Sequence, residues 1–292
     1  MPAGKEGRTM DKPLVSVCIP TYNNEDTIEE TVSSVLRQTW KNLELVIVDD
    51  GSSDRTYELV TELAAEDKRI RLYRNGKNLG MAGNWNRCLS LCRGDYLKLL
   101  CGDDLIHETL LEREVELMER YPEALLVQTD TRFIDIHGKT TGFYRRYRKS
   151  GLVDGKEICR FSVFTRDYLG APLANLIRRS AYEASGGFDS SFVYIIDYDF
   201  YMKIACSGMV YILHEPLNSF RIRSDSNTGQ VMGGGKEEAY IAEHRRLVEK
   251  YASVLGLSPR QVSLSVAIRR FMSFSGKYLS EDFCQESLRK NS

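Results

Sequence analysis

The chain has 292 residues, enough for one large α/β domain with an appended piece, or for two modest domains, and for a sizeable buried core. Hydrophobic residues make up 42% and charged residues 28%, with 40 Lys+Arg against 41 Asp+Glu, the profile of an ordinary globular protein with no global basic character to suggest nucleic acid. No stretch approaches the roughly 20 apolar residues needed to span a bilayer.

In chain order, residues 1–12 are polar and lack the apolar core of a signal peptide, so a disordered leader and a cytoplasmic protein are expected. Residues 14–19 form a nearly continuous apolar run, as in strands buried on both faces, and Pro20 stops it. Thr27, three residues before Glu30, suggests a capping box for a helix carrying Ile28, Val32, Val35 and Leu36. Residues 43–48, 49–54 and 56–66 repeat the unit as strand, loop and amphipathic helix. A third strand at 70–73, a loop at 75–83, a helix at 85–92 and a fourth strand at 96–100 follow, then a helix at 108–121 and a strand at 124–128. This alternation predicts a doubly wound, mostly parallel sheet flanked by helices.

From residue 140 the pattern loosens until an apolar run at 172–177. Helices are expected at 180–185 and 197–206, then a glycine hinge at 233–235, two further helices at 237–253 and 258–278, and a polar, disordered tail at 281–292. Tyr144 to Lys149 gathers Arg145, Arg146, Arg148 and Lys149 around Tyr147, and reads as a solvated face in preference to a phosphate or membrane contact. Cys18, Cys88, Cys92, Cys101, Cys159, Cys206 and Cys284 contain no CxxC pair and read as reduced core thiols. His107, His137, His214 and His244 match no metal-ligand spacing, and Trp85 is expected to pack on the sheet at least as readily as on a ligand.

Two acidic loops follow buried strands directly, where open α/β sheets bind ligands. Asp49-Asp50-Gly51-Ser52-Ser53-Asp54 can accept hydrogen bonds from a nucleotide base and ribose, and two adjacent aspartates carry a repulsion that a simple helix cap does not require. Asp103 and Asp104, after Gly102, offer hard oxygens suited to Mg²⁺ or Mn²⁺, with Gly102 allowing close backbone approach to a ligand.

Taken in order, Pro20-Thr21-Tyr22-Asn23-Asn24, the Asp49 to Asp54 loop, Asn78-Leu79-Gly80 with Asn86, Gly94-Asp95-Tyr96, Gly102-Asp103-Asp104, Gly186-Gly187-Phe188-Asp189 and Ile196-Asp197-Tyr198-Asp199-Phe200 resemble the family-2 glycosyltransferases of the GT-A fold. The resemblance runs from about Val15 to Arg223 and implies a GT-A domain over residues 13–230, with a nucleotide-sugar half at 13–130, an acceptor half at 131–230, and a helical extension at 231–292. It implies a nucleotide-sugar site formed by Pro20, Thr21, Tyr22, Asn24, Asp50, Asn78, Gly80, Asn86, Asp103 and Arg223, with Thr21, Tyr22 and Asp50 lining the base and ribose. Asp103 and Asp104 would bind Mn²⁺ or Mg²⁺, and Asp197 would be the catalytic base of an inverting transfer.

The implied donor is a nucleotide diphosphate sugar, a UDP-sugar first, and the implied acceptor a glycan or lipid-linked hydroxyl in surface polysaccharide synthesis, with peripheral contact at the inner face of the membrane. Departures from the family pattern are Cys101 where many members have an aspartate, Ile196 where an acidic residue usually precedes the base, and Arg223 where a histidine is common. These losses keep a second reading open, a nucleotide-sugar-binding regulatory protein without transfer activity. A dinucleotide-binding dehydrogenase lacks its glycine fingerprint here.

Overall fold

Alternation along the first two strands builds the core. β1 (Val15–Thr21) is buried throughout; α1 (Ile28–Leu36) follows, and then β2 (Leu43–Asp49), also buried throughout and parallel to β1. On β2, Val46 and Val48 enter one core with Trp85, Cys88 and Leu89, whereas Leu43, Leu45 and Ile47 enter a second with Val32, Val35 and Leu59. A strand whose successive side chains point to opposite faces can bury both only between two helical layers. The computed structural model describes residues 12–223 and 236–274; the expected glycine hinge, the leader up to residue 11, the polar tail and the last residues of the expected final helix lie outside them.

α2 (Thr56–Glu66), β3 (Ile70–Arg74), α3 (Gly80–Ser90), β4 (Tyr96–Leu99), β5 (Leu105–Ile106), α4 (Leu110–Arg120) and β6 (Ala124–Ile134) complete the first half. The second half comprises β7 (Thr140–Tyr144), β8 (Gly151–Asp154), α5 (Gly155–Phe164), a 3-10 turn (Pro172–Ala174), β9 (Asn175–Arg178), α6 (Arg179–Ser185), α7 (Ile196–Ala205) and β10 (Met209–Arg221). Two helices, α8 (Glu237–Tyr251) and α9 (Pro259–Phe274), close the described chain. The sheet order is β3-β2-β1-β4-β9-β6-β10-β5, with β7 beside β6 and β8 beside β10. Pairing is parallel from β3 through β4 and between β6 and β10, and antiparallel where β9 joins β4 to β6.

The expected capping box is absent. Thr27 makes no side-chain cap; its hydroxyl donates to the Gly102 carbonyl at 2.8 Å, and Glu30 pairs with Arg221 at 2.6 Å. Both groups face the acidic loop after β4, so α1 is tied to that loop instead of to its own first turn. α3 starts at Gly80, earlier than its apolar spacing indicates, because the Asp50 carboxylate accepts from the Leu79 and Gly80 amides at the helix start. Trp85 is buried and meets Phe188 edge-on with ring centroids 5.0 Å apart.

The C-terminal helices brace α7. Glu243 accepts from the amides of Val193, Tyr194 and Ile195 immediately before that helix, and Lys250 reaches Asp199 and Asp189 at 2.8 and 3.0 Å. Leu247, Val248, Tyr251 and Leu255 share one core with Ile196, Phe200 and Ile204. Where α5 starts, a Cβ on Gly155 would lie 1.9 Å from the carbonyl oxygen of Ala205. The Gly155→Ala variant is therefore expected to lose about 1 to 3 kcal/mol, because the neighbour is backbone and cannot swing aside, as urea unfolding would show.

Candidate functional site

Three loops at the carboxyl ends of β1, β2 and β4 are stitched together by polar bonds. Asn23, at φ 52°, donates its amide to Ser52 Oγ and accepts from the Ser53 amide, and the Asn24 amide donates to Thr56 Oγ1. Asn24 Oδ1 accepts from the Thr21 hydroxyl and the Tyr22 amide. A Cβ on Gly102 would lie 2.6 Å from that same Asn24 Oδ1. The close approach that Gly102 permits is thus to the chain's own β1 loop, which fixes Asp103 and Asp104 relative to Thr21.

Pro20 and Thr21 are buried at the end of β1, whereas the Tyr22 side of the loop is 49% exposed, leaving an aromatic ring open for stacking. Asp50 is buried: Oδ1 accepts from Asn75 Nδ2 and the Leu79 amide, and Oδ2 from the Gly80 amide at 3.0 Å. A carboxylate offers roughly four acceptor positions, so one remains for a ligand N–H or O–H. Asn78 Oδ1 also accepts from the Gly80 amide, and Gly80 takes φ 72°, which glycine adopts freely. Asn86 is engaged at both ends of its amide by the backbone of Phe188, tying α3 to the Gly186-Gly187 turn.

The acidic loop is held by a residue the motifs do not flag. Arg221, buried at the end of β10, donates its amide to Asp104 Oδ1 and Nε to the Asp103 carbonyl, while its Nη atoms reach Glu30 and the carbonyls of Asp135 and Ile136. Arg223 follows two residues later, half-buried. Asp104 Oδ2 is buried without a hydrogen-bond partner, and burial followed by the charge of Asp103 pushes its carboxyl well above the usual range. Such an orphaned hard oxygen beside a second carboxylate fits a divalent cation. No group of three or more acidic, histidine or cysteine ligands gathers among the described residues, so the rest of that ion's shell would come from diphosphate and water.

Asp197 lies in the first turn of α7, where Oδ1 accepts from the Tyr198 amide and Oδ2 from the Ala171 amide at 3.0 Å. Burial raises its carboxyl. The thiol of Cys101 is pushed up by burial and then by the charges of Asp104, Asp103 and Asp197, so the acidic loop and α7 share one electrostatic environment. A second residue outside the motifs, Asp167, also stands here. Burial and then the Asp197 charge raise its carboxyl to about 6. In sequence it is a lone aspartate in an irregular stretch, with no spacing to mark it.

The basic cluster is largely committed internally. Arg146 is buried, donating to the Gly170 carbonyl and Thr131 Oγ1, and Arg148 and Lys149 pair with Glu157. His214 meets Asp130 at 3.2 Å and His244 is buried against Ser265. The six described cysteines are unbridged, and Cys284 lies outside the described residues. Among the described residues no helix is long and apolar enough to cross a membrane.

A mixed α/β sheet covered by helices on both faces, with acidic loops after β2 and β4 and an aspartate in the first turn of α7, has the architecture of the GT-A glycosyltransferases. The family described as Glycosyl transferase family 2 matches residues 16–186, more than half of the chain. The chain belongs to that family. It is 30% identical over 224 residues, 75% of this chain and 67% of the other, to an uncharacterised glycosyltransferase of Rickettsia typhi. It is 31% identical over 199 residues to the chondroitin synthase of Escherichia coli, covering 67% of this chain and 27% of that one. Among solved structures, S. aureus TarS in complex with UDP-GlcNAc superposes with a TM-score of 0.70 at 18% identity, over 89% of this chain and 72% of that one. The mannosyltransferase PcManGT of Pyrobaculum calidifontis, in complex with GDP-Man and Mn²⁺, gives 0.61 at 16% identity, over 96% and 80%.

Proposed function

We propose that the protein transfers a sugar, with inversion, from a UDP-sugar to a hydroxyl of a glycan or lipid-linked acceptor in the synthesis of a surface polysaccharide, in the cytoplasm and peripherally at the inner face of the membrane. The observation that carries this reading is Asp197: a desolvated carboxylate, held by two backbone amides, within electrostatic reach of the same loop that carries Asp103 and Asp104. Asp197 accepts the proton of the acceptor hydroxyl as that oxygen bonds to the anomeric carbon and the bond from that carbon to the diphosphate breaks on the opposite face. Tyr22 stacks on the base, and Thr21, Asp50, Asn78 and Gly80 orient base and ribose, with Pro20, Asn24 and Asn86 shaping the loops around them. Asp103 and Asp104 would hold Mn²⁺ or Mg²⁺, which when bound supplies positive charge to the leaving diphosphate; Arg223 adds a cation on the same side.

The UDP preference draws on the UDP-GlcNAc complex of TarS, and the polysaccharide role on the likeness to chondroitin synthase. The test is a panel of UDP-, GDP- and dTDP-sugars with Mn²⁺ or Mg²⁺, read as nucleotide release. Slow metal-dependent hydrolysis of one donor supports the reading and identifies that donor. Tight calorimetric binding of a nucleotide sugar that no acceptor converts to turnover favours the binding protein, and no binding of any donor sinks the assignment.

Arg221 gives a sharper prediction. The Arg221→Ala variant removes the Nε bond to the Asp103 carbonyl and the Glu30 pair while keeping both aspartates and the backbone bond to Asp104, and is expected to weaken Mn²⁺-dependent UDP binding by about 10- to 100-fold in titration calorimetry, the cost usual for groups that orient metal ligands.

A further inference from the structure

Three consecutive backbone amides converge on two carboxylates, one of them the proposed base. The amides of Leu169 and Gly170 both donate to Asp167 Oδ1 at 2.8 Å, and the next amide, Ala171, donates to Asp197 Oδ2 at 3.0 Å. Ala171 takes φ 61°, a left-handed conformation uncommon for a residue with a Cβ. Between the two carboxylates sits Gly170, whose Cβ, if present, would be 2.1 Å from Asp167 Oδ2 and 3.1 Å from Asp197 Oδ2. Asp167 Oδ2 and the amide-bound Asp197 Oδ2 therefore bracket a single backbone position. Behind it, Arg146 Nη1 donates to the Gly170 carbonyl at 2.8 Å and fixes the turn.

We propose that Asp167 is a positioning residue for the base: a second carboxylate, delivered by the loop between α5 and the 3-10 turn, whose charge strengthens Asp197 as a proton acceptor. It stands in for the acidic residue that Ile196 lacks, arriving from a different segment of the chain. The inference rests on the reading of Asp197 as base.

The turn needs only Asp167 Oδ1, because that oxygen takes both amides, and Oδ2 plays no part in it. Oδ2, which takes neither amide, flanks the same Gly170 position as Asp197 Oδ2, so the turn brings the two carboxylates close together. The charged and titratable groups facing the pair are Tyr144 on β7, Arg146 from the segment after it, Cys101 from the acidic loop, Tyr198 and Tyr201 on α7 and Tyr240 on α8. Arg146 is one cation against two carboxylates, which leaves excess negative charge, and neighbouring like charges raise each other's affinity for a proton. Such a pair titrates as a unit. With Asp167 raised to about 6, the sign is definite: above that pH both carboxylates are ionised and Asp197 is the stronger base, and below it Asp167 takes a proton and Asp197 weakens.

The test is a pH titration of the aspartate carboxyl carbons of the full chain by NMR, with the Asp197 signal assigned by its loss in Asp197→Asn. Asp167→Asn retains an oxygen for the Leu169 and Gly170 amides and so retains the turn; Asp167→Ser replaces it should the asparagine variant fail to fold. The Asp167 signal, assigned in the same way by its loss in Asp167→Asn, is expected to titrate about one pH unit or more lower when Asp197→Asn removes the neighbouring charge, because the coupling between the two carboxylates is reciprocal. An unchanged midpoint overturns the proposal. This measurement needs no turnover, so it separates the two ideas: full transfer by Asp197→Asn would remove the base assignment whatever the NMR shows. Once the donor is known, the acid limb of kcat/KM in Asp167→Asn is expected to move to lower pH with a reduced plateau. A uniform loss at every pH, with the limb fixed, would leave Asp167 only its turn.

Discussion

The Asp197→Asn variant is expected to lower kcat by about 10²- to 10⁴-fold, the usual contribution of a positioned general base, while leaving the affinity for the nucleotide sugar close to unaltered. Asparagine keeps an oxygen for one of the two amides that orient the native side chain, so the first turn of α7 should persist. Glu243, which accepts from the amides of Val193 to Ile195, and the apolar contacts of α8 hold that turn independently of Asp197. What is lost is the capacity to take a proton. That loss belongs to the transition state, so it should fall on kcat and not on donor binding. Measuring kcat under saturating donor, with calorimetric donor affinity alongside, separates the outcomes. A parallel loss of affinity would mean that the site had collapsed, and unaltered turnover would move the base elsewhere.

How much of this was legible in the sequence depended on whether the cause was local. β1 and β2 were readable because burial on both faces demands near-continuous apolar residues, and both strands are buried at every position. β10 was not: its 13 residues contain His214, Glu215 and Pro216, and the pairing with β6 shifts register between Leu213 and Asn218 to absorb them. β6 likewise runs past Gln128 through polar residues to Ile134. The start of α3 depends on Asp50, some thirty positions upstream, and the role of Thr27 depends on Gly102, so no window around either residue contains the answer. The motif aspartates, Asp50, Asp103, Asp104 and Asp197, stood out because each follows a strand or opens a helix in a familiar order. Arg221 and Asp167 did not, since their meaning comes only from what folding places beside them.

Lys98 and Glu114 show the same non-local logic in the core and lead to the largest expected effect on stability. Lys98 on β4 and Glu114 on α4 are both fully buried, with Nζ 2.8 and 3.0 Å from the two carboxylate oxygens. Burial opposes both charges, lowering the Lys98 ammonium and raising the Glu114 carboxyl to about 7. The Glu114→Ala variant leaves a desolvated ammonium with no counter-charge and is expected to cost about 3 to 5 kcal/mol in urea unfolding. Replacing both, Lys98→Met with Glu114→Leu, removes the desolvation on each side and should recover most of that loss or exceed the unaltered protein, because a buried pair is a weak source of net stability. The natural chain keeps the pair on the strand that delivers the acidic loop. A one-residue slip of β4 would turn Lys98 toward the opposite core, away from the Glu114 carboxylate, and would carry Asp103 and Asp104 out of place with it. If register is what the pair secures, the double variant should fold stably yet bind UDP and Mn²⁺ more weakly than the unaltered protein. Full stability with full affinity would show that the apolar residues of β4 fix the register unaided.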